Sequence, residues 1–105
     1  MKIYISGKIS GTNLTETCKR FAAVAKAMKR LGVEPVNPLE NGLSEHDTWE
    51  THIAKDIAYL LQCKAIYMLQ GWQESKGARI EHYIATETGI PIMYEIEQPI
   101  ISEYE

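Results

Sequence analysis

The sequence predicts a small α/β domain of the doubly wound, Rossmann- or flavodoxin-like type, with a mostly parallel sheet of roughly four to five strands and helices on both faces. The first reason is that short β-rich segments alternate along the chain with longer segments of helical periodicity. The second is that the connections are short, which favours right-handed βαβ crossovers. The third is size, because 105 residues, 45% of them apolar, suffice for one domain over 1–105 and leave no room for a second.

The first strand and the first helix are joined by a loop rich in glycine and serine. Residues 2–5 are β-forming, and the loop over 6–11 permits tight turns and close backbone approach. A stripe of apolar residues then recurs at alternating steps of four and three: Leu14, Cys18, Phe21, Ala25 and Met28. Gly32 supplies a stop, so this pattern predicts a helix of about four turns.

The second strand and the second helix are separated by the one long loop of the predicted fold. Residues 33–36 form a short β run, and 39–47 carry turn residues without any period. The helix that follows places three apolar residues and one carboxylate on a single face: Trp49, Ile53, Asp56 and Leu60. A carboxylate at a position where an apolar residue is expected makes Asp56 a candidate functional residue.

The last third of the chain predicts a central strand, a helix and a further strand. Residues 65–69 are almost continuously apolar, as in a strand that is covered on both faces. A third helix is predicted over about 75–88, with Gly89 at its end, and a strand over 90–94 follows it. The acidic segment over 95–105 favours no single element and is most simply a solvated or subunit-contacting tail.

Neither charge nor hydropathy favours a nucleic-acid polymer or a membrane as partner. Fourteen acidic side chains against eleven basic ones give a net charge of −3, so the field of the molecule would repel nucleic acid. No apolar run approaches the roughly twenty residues that span a bilayer, and the first residues are typical of a strand rather than of a signal peptide. Cys18 and Cys63 lie far apart, which predicts two small buried residues rather than a disulfide or a zinc site. We therefore expect a cytoplasmic protein with a small-molecule partner.

Ligands of doubly wound sheets bind at the carboxyl ends of the strands, so the candidate site lies at the loops there. The loop after the first strand offers backbone N–H groups and two hydroxyls just before a helix, which suits a phosphate: Ser6, Gly7, Lys8, Ile9, Ser10 and Gly11. Lys8 either adds a positive charge there or is a solvated turn lysine. The loop lacks the order of a Walker motif and of a dinucleotide-binding motif, so ATP hydrolysis and NAD chemistry have little support.

The segment over 71–81 combines a helix N-terminus, a hydroxyl, two cations and a carboxylate. That carboxylate, Glu81, lies between two alanines at helical spacing, so it faces an open groove unless it is an ordinary surface glutamate. Together with Asp56 and the phenol of Tyr4 it forms a set of groups typical of glycosyl transfer. One carboxylate attacks or stabilises an oxocarbenium-like carbon, and the other acid protonates the leaving group.

Three stretches of the chain together resemble the nucleoside 2-deoxyribosyltransferase family. They are Lys2-Ile3-Tyr4-Ile5-Ser6-Gly7, His52-Ile53-Ala54-Lys55-Asp56-Ile57-Ala58-Tyr59-Leu60 and Ser75-Lys76-Gly77-Ala78-Arg79-Ile80-Glu81. Their order and spacing cover nearly the whole chain. The S-x-G-x-x-x-E run and the glycine loop after the first strand look closest to the branch of 2'-deoxynucleoside 5'-phosphate N-hydrolases and its short uncharacterised bacterial and phage relatives.

The resemblance implies a role for each candidate residue. Glu81 would be the nucleophile, Asp56 would handle the base and Tyr4 would orient the glutamate. The 5'-phosphate would be held by Ser75 and Gly77 and by the backbone of Gly7, Lys8 and Ile9. Where many members of the family have a small pair of residues after the glutamate, this chain has His82-Tyr83, which either narrows the pocket or faces outward.

The sequence therefore predicts an enzyme, an N-glycosidase or glycosyltransferase that cleaves the base–sugar bond of a (deoxy)nucleoside or its 5'-monophosphate. A proton and a nucleophile suffice for this cleavage, so no metal or organic cofactor is expected. His46, Asp47 and His52 lack a recognised metal-ligand spacing. The alternative is a non-catalytic nucleotide- or nucleotide-sugar-binding module of the same fold.

A homodimer or homotetramer is expected as well. A site built from the loops of so short a chain is open on one side, and members of the resembled family pair subunits so that a neighbour completes each site. Trp49, Tyr59 and Tyr83 on the second and third helices offer aromatic surface of the kind that is enriched at interfaces. The alternative is that these aromatic residues cover only their own sheet.

Overall fold

The computed structural model describes residues 1–44 and 46–96, and in these ranges strands and helices alternate. The strands are β1 (Lys2–Ser6), β2 (Glu34–Val36), β3 (Ala65–Met68) and β4 (Ile92–Tyr94). The α-helices are α1 (Leu14–Arg30), α2 (Trp49–Leu60) and α3 (Lys76–Thr88), and short 3₁₀ turns cover Pro38–Glu40 and Trp72–Glu74. The predicted order of elements is therefore confirmed.

The four strands form one parallel sheet in the order β2-β1-β3-β4. Tyr4 of β1 lies opposite Val36 of β2 on one side and opposite Ile66 of β3 on the other. The chain moves from β1 to one side for β2 and to the other side for β3, so the direction of winding reverses at β1. Ligands of open α/β sheets bind at the carboxyl ends of the strands at such a point.

The alternation of side chains along β1 separates two layers of core on the two faces of the sheet. Ile3 and Ile5 face α1 and pack with Phe21 and Met28 of that helix. Tyr4 faces the other side, where the core is built with α2 and α3 from Leu60, Ile66, Met68, Ala78 and Ala85. Helices cover both faces, which confirms the predicted doubly wound class. Because side chains alternate with period two, Ser6 shares the face of Tyr4.

Side-chain caps hold the starts of the two helices that carry the candidate carboxylates. The Thr48 hydroxyl accepts a hydrogen bond from the backbone N–H of Thr51 at the start of α2, and Ser75 does the same for Ala78 at the start of α3. Such caps stabilise a helix by about 1 kcal/mol each. Each cap thus fixes the residue at which its helix begins.

The first turns of α1 differ from the prediction. Phe21 and Met28 of the predicted stripe are buried, but Leu14 and Cys18 are exposed and Thr17 is buried in their place. The prediction that both cysteines are small buried residues is therefore wrong for Cys18 and right for Cys63, and both thiols are free. The physical reason is that the start of α1 borders an open cleft instead of the sheet, since Leu14 and Cys18 line that cleft.

The end of the chain is only partly described. Within 1–44 and 46–96, no helix is both long enough and apolar enough to cross a membrane. Oε1 of Glu95 accepts hydrogen bonds from the Arg20 guanidinium over 2.6 Å and from the backbone N–H of Gln70 over 2.9 Å. The start of the acidic segment is therefore bonded to α1 and to the loop after β3. The rest of the tail, residues 97–105, lies outside the described residues.

Candidate active site

An open cleft of about 550 Å³ lies at the carboxyl end of β1. Its walls are the loop after β1, the start of α1, the segment over 38–43, and helices α2 and α3. Pockets for small molecules commonly have volumes of about 300–1,000 Å³. The cleft is therefore large enough for a molecule of the size of a nucleoside.

Glu81 of α3 lines this cleft, although only 5% of its surface is exposed. The hydroxyl of Tyr4 donates to its Oε2 and the hydroxyl of Ser6 donates to its Oε1, each over 2.7 Å. Both donors come from one face of β1, because residues two apart in a strand point the same way. The strand thus holds the carboxyl group at two points.

Burial raises the pKa of Glu81 to about 7, because a carboxylate loses its hydration there. The hydrogen bonds from Tyr4 and Ser6 act in the opposite direction, since they stabilise the ionised form, and the nearby charge of Asp56 raises the pKa further. Burial also raises the pKa of the Tyr4 phenol well above its usual value, so Tyr4 stays protonated and remains a donor. Glu81 thus changes its charge near neutral pH while its hydrogen-bond donors do not.

Asp56 of α2 is the second carboxylate of the cleft and is 8% exposed. Its Oδ1 accepts a hydrogen bond from Nδ2 of Asn41 over 3.0 Å. Burial raises its pKa, while the hydrogen bond from Asn41 and the positive charge of Lys55 oppose that rise. The structure therefore brings Tyr4, Asp56 and Glu81, the three predicted catalytic residues, to one cleft.

The loop after β1 contributes only part of the predicted phosphate-binding set to the cleft. Gly7, Ile9 and Ser10 line it, and a Cβ atom on Gly7 would lie 3.0 Å from the Leu69 side chain, so the loop rests directly on the core. The side chain of Lys8 points to Glu74 instead, with 3.6 Å between Nζ and Oε2.

Ser6 and Gly11, which belong to the same predicted set, are not among the residues that line the cleft. The Ser6 hydroxyl donates to Glu81 from within β1, below the cleft. Gly11 has a φ angle of 76° in the turn before α1, a conformation that glycine adopts without strain.

The start of α3 lies in the cleft wall as predicted. Ser75, Lys76 and Gly77 line the cleft. The Ser75 hydroxyl accepts the N–H of Ala78 and donates to no residue within 1–44 and 46–96, so a ligand can receive its hydrogen. The Lys76 ammonium lies 4.7 Å from the centre of the Trp49 ring. The described residues that line the cleft also include four acidic side chains: Asp47, Asp56, Glu74 and Glu81. Local N–H groups and Lys76 are thus the groups that favour an anion there.

His82 and Tyr83, which follow the predicted nucleophile, face away from the cleft. The His82 ring stacks on Trp72 with 4.3 Å between ring centres, and its Nε2 lies 2.8 Å from the hydroxyl of Tyr94. Tyr83 is 64% exposed. Of the two alternatives for this pair, the outward orientation is confirmed. The stack holds the His82 ring against Trp72, on a side of α3 that does not line the cleft.

Two functional candidates, Asn41 and His52, were not predicted as site residues. Asn41 is 4% exposed in the segment after β2, and His52 lies four residues before Asp56 on α2. The spacing of four in a helix was a usable signal for His52, since it places His52 and Asp56 on one face. The two ring nitrogens of His52 face Asn41 and the backbone oxygen of Ser44, and within 1–44 and 46–96 no three potential metal ligands cluster.

Comparisons with known proteins agree with the fold. The chain is similar to the 2-deoxyribosyltransferase of the psychrotolerant bacterium Bacillus psychrosaccharolyticus, with a TM-score of 0.70 and 18% identity over 93% of this chain and 77% of that one. It is also similar to a 2-deoxyribosyltransferase from Leishmania mexicana, with a TM-score of 0.69 and 23% identity over 98% of this chain and 70% of that one. These likenesses establish a shared α/β fold. No curated protein matches.

A family model covers nearly all of the described residues. The match extends over residues 1–94, which include the four strands, the three α-helices and every residue that lines the cleft. The chain therefore belongs to the DUF4406 family, which is described as a domain of unknown function.

Proposed function

We propose that this protein is an N-glycosidase or glycosyltransferase that cleaves the base–sugar bond of a (deoxy)nucleoside or its 5'-monophosphate with Glu81 as nucleophile. The observation that carries the proposal is the buried Glu81 carboxyl group, held by the hydroxyls of Tyr4 and Ser6 at 2.7 Å each inside a cleft. A surface glutamate has no need of two short buried hydrogen bonds. A nucleophile does, because it must be aimed at one carbon atom.

The reaction proceeds in two displacements at the anomeric carbon. Ionised Glu81 attacks C1' from the face opposite the base, the C1'–N bond breaks, and its electron pair goes to the base nitrogen. Asp56 supplies the proton that the departing base takes up, directly or through a water molecule. Water or a second base then attacks C1', the bond from C1' to Glu81 breaks, and the proton of the attacking group returns to the ionised Asp56, which gives hydrolysis or transfer.

The protonation states of the two carboxylates set the conditions for this reaction. Glu81 must be ionised, and its pKa of about 7 makes the ionised form abundant only above neutral pH. Asp56 must be protonated, and burial raises its pKa in the free protein, although the hydrogen bond from Asn41 and the charge of Lys55 oppose that rise. A bound base that displaces water from Asp56 strengthens the desolvation that raises its pKa, so substrate binding prepares the acid.

The similar structures support glycosyl transfer on nucleosides. Both are 2-deoxyribosyltransferases, and that of B. psychrosaccharolyticus is described as a biocatalyst for the synthesis of antiviral and antitumoral nucleosides. The Ser75-x-Gly77 start of α3 and Lys76 supply the N–H groups and the charge that a 5'-phosphate requires. We place the 5' end of the sugar at this start of α3.

The test is the release of free base from a panel of nucleosides and nucleoside 5'-monophosphates, measured by chromatography. Glu81→Gln is expected to abolish release, because the amide is not a nucleophile of comparable strength. Glu87→Gln, a change at an exposed glutamate of the same helix, serves as the matched control and keeps full activity. Near-normal turnover in Glu81→Gln would contradict the proposed nucleophile, and ligand-induced thermal stabilisation without base release would favour a binding module.

Asp56→Asn tests the second carboxylate. It is expected to lower kcat strongly on natural substrates, since general acid catalysis contributes about 10²–10⁴-fold. It is expected to retain much more activity on a substrate whose leaving group departs as a stable anion. Equal losses on the two kinds of substrate would instead assign Asp56 to ligand positioning.

A further inference from the structure

A chain of side-chain hydrogen bonds in the cleft wall ends on Asp56. Asn41 donates from Nδ2 to Asp56 Oδ1 over 3.0 Å, and the same Nδ2 lies 3.2 Å from Nδ1 of His52. The other ring nitrogen of His52, Nε2, lies 2.8 Å from the backbone oxygen of Ser44. This series of hydrogen bonds thus runs from Ser44 through His52 and Asn41 to Asp56, the candidate acid.

The partners in this series of hydrogen bonds determine where its hydrogen atoms lie. A carbonyl oxygen only accepts, so Nε2 of His52 carries the proton and Nδ1 of the neutral ring is an acceptor. One amide hydrogen of Asn41 then goes to His52 and the other to Asp56. The amide oxygen of Asn41 accepts the backbone N–H of Leu43 over 3.0 Å. A flipped Asn41 amide would turn its oxygen toward two acceptors and lose the Leu43 bond, so one orientation is strongly favoured.

The fixed amide distinguishes the two oxygens of Asp56. Oδ1 accepts from Asn41, so an acidic proton on Asp56 is placed on Oδ2. Within residues 1–44 and 46–96, Oδ2 has no hydrogen-bond partner. In the same ranges, every fully buried polar atom of a side chain has a partner, so Oδ2 is not fully buried. Oδ2 therefore has access to the solvent of the cleft that Asp56 lines.

We propose that Asn41 and His52 are positioning residues, in which His52 holds the Asn41 amide in one orientation and Asn41 directs the acidic proton of Asp56 to Oδ2, toward the departing base. This inference rests on the function proposed above for Asp56. Neither residue exchanges a proton with the substrate. Their effect is confined to the step in which the base is protonated.

The kinetic test compares a natural substrate with one whose leaving group departs as an anion. Asn41→Asp keeps the volume and the acceptor for Leu43 but replaces the donor to Asp56 by a second acceptor. It is expected to lower kcat about 10- to 100-fold on the natural substrate, part of the usual contribution of a general acid, and less than about threefold on the activated one. Asn37→Ala is the control, because the Asn37 side chain caps the N–H of Leu39, next to the cleft wall, and is not hydrogen-bonded to Asp56; its effect on the two substrates is expected to be equal.

Two substitutions of His52 separate the role of Nδ1 from that of Nε2. The amide of His52→Asn can place an acceptor oxygen where Nδ1 lies, whereas His52→Gln places its amide where Nε2 lies. The asparagine variant is therefore expected to retain most of the activity on the natural substrate, and the glutamine variant to lose it as Asn41→Asp does. The opposite order would contradict the assigned role of Nδ1.

A readout without substrate keeps the inference separate from the proposed function. The Asp56 carboxyl carbon is titrated by ¹³C NMR in the wild type and in Asn41→Leu, where loss of the donor without any added charge is expected to raise the Asp56 pKa. An unchanged Asp56 pKa, or equal kinetic losses on both substrates, would overturn the positioning role. If the wild type releases no base at all, the proposed function fails while the NMR titration still decides whether Asn41 controls Asp56.

Discussion

Glu81 combines a place in the core with a function that needs a negative charge. Burial opposes the charge, and two hydroxyl groups at 2.7 Å partly restore the stabilisation that water would give. Hydrogen bonds to a charged group contribute about 1.5–3 kcal/mol each, so the two donors have a large influence on how readily Glu81 ionises. The result is a carboxyl group that titrates near neutral pH instead of near pH 4.5.

Tyr4→Phe is expected to move the acidic limb of the pH profile of kcat/KM upward by roughly one pH unit, because the lost hydrogen bond favours the ionised form of Glu81. The pH profile of kcat/KM reports the free enzyme and is the measurement to use. Tyr59→Phe, at a half-buried tyrosine packed in the same core layer, is the control. An acidic limb that stays in place in Tyr4→Phe would show that the phenol does not control Glu81.

Ser6 illustrates how one residue at an element boundary changes a predicted role. The sequence places the strand end at Ile5 and assigns Ser6 to the phosphate loop, whereas β1 extends to Ser6. Inside the strand, Ser6 points the same way as Tyr4, and its hydroxyl reaches Glu81. Boundaries are the least certain part of a propensity argument, since the last pair of a strand depends on its neighbour, here Met68 of β3.

At the scale of the elements, helices with a clear period were predictable and the irregular segment after β2 was not. Asp56 stood out because it interrupts an apolar stripe, and it lies in the cleft. The role of Asn41 depends on contacts with α2 that no local pattern records. Cys18 shows the converse, since a helical stripe predicts burial only where the sheet continues beneath it.

The start of α3 provides a test of phosphate binding that separates charge from helix capping. Ser75→Asp keeps a good capping residue but adds a negative charge beside the N–H groups. It is expected to raise KM for nucleoside monophosphates by about tenfold or more and to change KM for nucleosides far less. Ser75→Ala, which loses the cap, is the companion variant and should lower stability by about 1 kcal/mol. Equal KM changes for both substrate classes would remove the phosphate from this helix start.

At the scale of the whole molecule, we expect a homodimer or homotetramer. Tyr83 of α3 is exposed, and so are Met93 and Tyr94 of β4, the outermost described strand on that side of the sheet, whereas Tyr59 packs against its own core. Light scattering across a dilution series measures the mass, and Tyr83→Glu is expected to shift it toward the monomer because it places a charge in the contact. A strictly monomeric wild type with full activity at tens of micromolar would contradict this expectation.

The buried Glu81 carboxyl group also affects the stability of the whole protein. Its pKa is about 7 in the folded state and near 4.5 when it is exposed in the unfolded chain. Between these values the unfolded chain has lost the proton and the folded protein still holds it, so stability falls as pH rises from about 4.5 to about 7 and levels off above that. Glu81→Gln has no such charge. Its free energy of unfolding, relative to that of the wild type, is therefore expected to be larger at pH 8 than at pH 5 by about 2 kcal/mol, which means that the variant is relatively more stable at pH 8. Urea unfolding at the two pH values measures this, with Glu87→Gln as control, and a stability difference independent of pH would contradict the raised pKa.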